Sequence, residues 1–123
     1  MSKLFVLTLM VFCHIVDDYY LQGVLASMKQ KNWWTQNTPG KLYRYDYIVA
    51  LVMHGFSWTF MVMLPIAALY SLNSPYLFYW CFTLNVAIHA FTDNVKANLR
   101  TINLIMDQSV HIEQIILTFL LLT

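Results

Sequence analysis

Charge is what this sequence has least of. Only 11% of its 123 residues are Asp, Glu, Lys or Arg, against 59% hydrophobic, and the formal net charge is +1. That balance excludes the basic footprint on which nucleic-acid binding depends. Cysteine is as scarce: Cys13 and Cys81 form no C-x-x-C pair and read as small packing residues, not as redox or zinc groups. There is no internal repeat and no low-complexity segment, so residues 1–123 read as one domain.

What is there is apolar length. Mean hydropathy is +0.56, and apolar stretches run over about 4–22, 47–70, 76–93 and 102–122. Each is close to the roughly 20 residues a helix needs to cross a bilayer core. The expected fold is all-α, an integral membrane bundle of four transmembrane helices in contact with the lipid bilayer. A cleavable leader would need small residues where Asp17, Asp18 and Gln22 stand, so the first segment is expected to be retained.

Positive charge sets the expected orientation. Lys29, Lys31, Lys41 and Arg44 follow the first stretch and Lys96 and Arg100 follow the third, whereas the turn Ser71–Tyr76 has none and Lys3 stands alone on the opposite side. Basic loops stay in the cytoplasm. Both termini are then expected to face outward. The first connection, Gly23 to Arg44, is long; its Trp33–Trp34 pair, lysines and Pro39–Gly40 predict a short interfacial helix ended by a turn, or aromatic anchoring at headgroup level.

Within the stretches the polar residues are patterned. His14, Asp18 and Gln22 recur at steps of four; Asn85, His89, Asp93, Lys96 and Arg100 form a second stripe; Asp107, His111 and Gln114 form a third; and His54 lies in the second stretch. Each stripe occupies one helical face. They fall at the C-terminal ends of the first and third helices and the N-terminal ends of the second and fourth, which an up-down bundle brings to one side. His14, Asp18, His54, His89, Asp93, Asp107 and His111 are therefore expected to converge.

Ionisable groups inside a bilayer are unfavourable by about 2.5–3.5 kcal/mol each and need compensation. A divalent metal supplies it, and imidazole with carboxylate suits zinc, manganese or iron. Seven ligands allow two ions, or one ion with carboxylates orienting its histidines. Helix-to-helix polar glue is the competing reading of the same pairs. Asp17 lies about 100° from Asp18 around an α-helix, so only one of the two is expected to point inward, and Asp18 shares the face of His14. Asp17, Gln22, Lys96, Arg100 and Gln108 are candidates for supporting or substrate-contacting roles, with Lys96 and Arg100 either holding a phosphate or snorkelling to the surface. Glu113 is rotated away from its stripe.

The order H-x-x-x-D-x-x-x-Q (His14, Asp18, Gln22), a span histidine (His54), H-x-x-x-D-x-x-K (His89, Asp93, Lys96) and D-Q-x-x-H (Asp107, Gln108, His111) resembles a family of small bacterial and phage membrane proteins, domain of unknown function 3307. The resemblance covers nearly the whole chain. It implies a bacterial or bacteriophage origin and a joint role for the His/Asp positions. Asp17 departs from it, standing where a small or apolar residue is expected.

Three functions fit the pattern. The first is a metal-dependent hydrolase acting on a lipid or phosphoester; the second is a metal-ion or proton transporter; the third is a structural or host-interaction membrane protein with a polar core. Short spans of this kind also leave room for a homo-oligomer or a membrane-protein partner.

Overall fold

The computed structural model describes residues 2–72 and 74–123; Asn73, in the uncharged Ser71–Tyr76 turn, lies outside the described residues. Among the described residues every regular element is helical. Helix α1 (Lys3–Ile15) runs on into a π-helical turn, Val16–Leu21. Short helices α2 (Leu25–Met28) and α3 (Lys31–Asn37) follow, then a 3₁₀ turn at Lys41–Tyr43. The long helix α4 (Asp46–Leu69) leads to α5 (Pro75–Asn94), a second π turn at Val95–Leu99, and α6 (Leu104–Leu122).

Local chemistry explains the helix starts. The Ser74 hydroxyl accepts from the Leu77 amide with Pro75 as the first helical residue, and the Asn103 side chain accepts from the Met106 amide, satisfying donors a helix start leaves free. Helix α1 packs against α4 and α6, and α5 closes the ring against the same two. The Lys3 ammonium donates to the Thr123 carbonyl at 3.3 Å, so the two termini share one end of the bundle.

Three helical segments are long and apolar enough to cross a membrane: Lys3–Leu21, Lys41–Leu69 and Leu104–Leu122. The expected third span is not clearly one of them. Helix α5 has 20 residues, but Asn85, His89, Thr92, Asp93 and Asn94 lower its hydropathy. The expected single interfacial helix is instead two short ones, pinned by Trp34, whose indole donates to the Met28 carbonyl at 2.7 Å and stacks on Tyr43.

The interior has two zones. Toward the termini Val6, Met10, Trp58, Val62, Ile66, Ile115 and Phe119 form an apolar core. Toward the other end lie the histidines and aspartates. Between them α4 and α5 approach closely at Gly55, where a Cβ would stand 3.0 Å from the Val86 carbonyl oxygen. A side chain there would press on that carbonyl, so glycine suits this spacing beside His54.

Candidate metal centre

Four helix ends supply the site. His14 lies in the last turn of α1, and Asp17 and Asp18 in the π turn beyond it; His54 lies in the first half of α4; His89 and Asp93 end α5; Asp107 and His111 open α6. All four imidazoles are no more than 2% exposed.

The N···O separations are informative. His111 Nε2 is 3.3 Å from Asp93 Oδ1 and 3.4 Å from Asp107 Oδ1, and His89 Nε2 is 3.4 Å from Asp93 Oδ2. These exceed ordinary hydrogen-bond lengths. Bonds of about 2.0–2.1 Å to a tetrahedral ion would place neighbouring N and O ligands about 3.3–3.4 Å apart. His89 Nε2, His111 Nε2 and Asp107 Oδ1 are, besides, buried without a hydrogen-bond partner, a condition native interiors rarely leave uncompensated. Three overlapping groups are positioned to hold an ion: Asp18, His54 and His89; His89, Asp93 and His111; Asp18, Asp107 and His111.

Neighbouring residues fix how these groups present themselves. The Gln114 amide donates to the Asn85 backbone carbonyl at 3.1 Å, an acceptor that cannot reverse, so its oxygen faces His111 Nδ1 at 3.1 Å. Nδ1 of His111 must then carry a proton, and in the neutral ring Nε2 turns its lone pair to the cluster. Asn85 in turn donates to the Thr118 hydroxyl at 2.7 Å. On the other flank the Gln108 amide donates to Asp18 Oδ2 at 3.2 Å and Asp107 Oδ2 at 3.0 Å, leaving each Oδ1 for the histidines. Such outer partners set ligand direction.

His14 is a correction to the expected ligand set. The Trp58 indole, which can only donate, reaches His14 Nδ1 at 2.8 Å, so Nδ1 is bare and Nε2 carries the proton it gives to Gln108 Oε1 at 2.9 Å. Both nitrogens are engaged, and His14 belongs to none of the three groups. Its role is to orient Gln108, and through it Asp18 and Asp107.

The expectation that one of Asp17 and Asp18 faces outward is also corrected. The π turn, with its i→i+5 pattern, brings both inside. Asp17, 1% exposed, accepts from the Ser57 hydroxyl at 2.7 Å and lies 3.8 Å from His54 Nδ1, while Asp18 Oδ1 is 3.0 Å from His54 Nε2. Gln22 bonds back to the Asp18 carbonyl at 2.9 Å instead of reaching the cluster. Lys96 stands 3.5 Å from Asp107 Oδ2, and Arg100 lies exposed beyond the second π turn. Glu113 is exposed on α6, away from the cluster.

Three participants escape a reading of the stripes. Trp58 floors the cluster, its ring 4.3 Å from that of His89, which is itself stacked on His111 at 4.0 Å; its spacing of four from His54 was the available signal. Lys29, from the connection after α2, is buried and donates to Asp93 Oδ2 at 2.8 Å. Asn98 holds that connection in place, donating to the Lys29 carbonyl at 2.9 Å and accepting from the Lys31 amide at 2.8 Å. No periodicity marks either residue.

No family model, curated protein or solved structure matches the chain. Fold and site define a helical protein with apolar helices able to span a membrane and a buried His/Asp cluster positioned to hold a metal ion.

Proposed function

We propose that the chain is a four-span membrane protein whose cluster holds one or two divalent ions and hydrolyses a lipid or phosphoester at the cytoplasmic face. The supporting observation is that His89 Nε2, His111 Nε2 and Asp107 Oδ1 are buried without hydrogen bonds, each within 3.4 Å of an imidazole nitrogen or carboxylate oxygen of the cluster. In this reading α5 crosses despite its polar face, which is turned to the cluster and not to lipid. Bacterial or phage origin, inner-membrane location and outward termini, which follow from the motif resemblance and from the basic connections, belong to the same proposal.

A bound ion would lower the pKa of a water toward about 7 and polarise the scissile bond. The chain's own groups do the rest. With an ion on His89, Asp93 and His111, Asp107 Oδ1, 3.4 Å from His111 Nε2, is the carboxylate left to take a proton from the attacking water. Asp93 presents Oδ1 to His111 and Oδ2 to His89 and His54, so it would hold an ion together with these histidines.

The test is turnover of chromogenic phosphate and carboxylate esters by detergent-purified protein loaded with zinc or manganese. Activity lost on chelation and in Asp93→Ala is expected. Full turnover by metal-free protein would sink the hydrolytic reading. Ion flux into liposomes, abolished in His89→Ala without any turnover, would replace it with transport.

A further inference from the structure

Beside the cluster, a cleft of 330 Å³ opens at the end of the bundle remote from the termini. Its polar lining is Gln22, Lys29, Gln30, Asp93, Lys96 and Arg100, completed by two alanines. Three of the eight lining residues are cationic. Asp93 belongs both to the cleft and to the candidate metal groups, so whatever enters lies next to the ions.

The charges are placed at some cost. Lys29 is 8% exposed and reaches Asp93 from a connection clamped by Asn98; a buried lysine is unfavourable unless paired or used. Arg100 ends the second π turn in a left-handed backbone, φ 56° and ψ 36°, a common way for a helix to stop, and this turns the chain at the mouth of the cleft. Among the described residues Arg100 has no carboxylate partner, whereas Lys29 and Lys96 each have one.

Charge balance points the same way. With all ionised, Asp17, Asp18, Asp93 and Asp107 oppose Lys29, Lys96 and Arg100, which leaves one negative charge in excess with neutral histidines. One divalent ion reverses this to a surplus of one positive charge, and two ions to a surplus of three. A positive surplus beside buried ligands attracts an anion to the open cleft. Arginine and lysine together suit phosphate: Arg as a planar fork and Lys as a point charge.

We propose that this cleft is a phosphate-binding site, in which Lys29, Lys96 and Arg100 receive the phosphate group of a phosphomonoester against the metal centre. The volume is at the lower end of the small-molecule range of about 300–1,000 Å³, enough for a phosphate and a small attached alcohol. The cleft's position at a bundle end admits either a lipid phosphate or a soluble phosphomonoester.

The proposal rests on the metal reading, and the two can fail separately. Inorganic phosphate binding is measured by calorimetry on the full chain in a phosphorus-free detergent, with zinc loaded or removed, beside Lys96→Gln/Arg100→Gln and Lys29→Met. Lys96→Gln/Arg100→Gln is expected to bind phosphate at least tenfold more weakly while keeping its zinc, which also reports that it is folded; Lys29→Met, which leaves Asp93 without its ammonium, is expected to lose phosphate affinity at least as far. Zinc binding with phosphate affinity unchanged in Lys96→Gln/Arg100→Gln overturns the cleft and leaves the metal centre. Phosphate binding that is lost in that double variant, in a wild-type protein that takes up no zinc, supports the cleft and overturns the metal centre. Competition by short-chain phosphatidic acid against glycerol phosphate identifies the source: tighter binding of the first assigns a lipid, of the second a soluble ester. If neither displaces inorganic phosphate, the assignment to phosphomonoesters is overturned.

Discussion

Toward the termini the bundle interior is filled by Val6, Met10, Val62, Ile66, Ile115 and Phe119; toward the other end the same four helices bury four histidines and four aspartates. In the apolar zone each side chain is satisfied by shape, and losing atoms leaves a void. In the polar zone each depends on a named partner, and losing one leaves an uncompensated charge. Trp58 serves both, its ring in the apolar core and its indole N–H on His14. The hydrogen-bonded strut from His111 through Gln114 and Asn85 to Thr118 anchors a polar group within the neighbouring layer.

The contrast can be broken most severely at Asp93, which touches His54, His89, His111 and Lys29. Asp93→Ala should reduce bound metal to background, as read by elemental mass spectrometry, and abolish any turnover. Ile66→Ala should do the opposite: stability falls by about 2–5 kcal/mol, measured by thermal unfolding in detergent, while metal per folded chain stays constant. If the ion belongs to the folded state, zinc at 100 times its Kd should stabilise the protein by about 2.7 kcal/mol, and a chelator should reverse the gain in Tm. The smallest effect is expected at the join. Gln114→Leu releases His111 Nδ1 and should weaken metal binding about 10–100-fold, by competition with a chromogenic chelator; unchanged affinity would show that the strut does not orient the ring.

Much of this was legible in the sequence. Helices α4, α5 and α6, and α1 taken with its π turn, coincide within one or two residues with the four apolar stretches, because apolar length and helical periodicity are local signals. The stripes at His89/Asp93 and Asp107/His111/Gln114 are buried together for the same reason. What was not legible depends on departures from the regular helix or on distant partners. A π turn inserts one residue's worth of rotation, and no period of 3.6 anticipates Asp17 turning inward. His14 has the spacing of a ligand, but a tryptophan on another helix takes the nitrogen. Lys29 counts as a loop charge until the chain folds back over Asp93. The third span is not clearly one by composition because the polar residues that build the site also make α5 less apolar than its neighbours.

The central claim is that the cluster is a metal site and not polar glue. The direct measurement is the metal content of the detergent-purified, zinc-reconstituted protein by elemental mass spectrometry, beside a His89→Ala/His111→Ala double variant shown to be helical by circular dichroism. The account predicts about one or two ions per chain and none in the variant. A folded wild-type protein that retains no metal after reconstitution would contradict it.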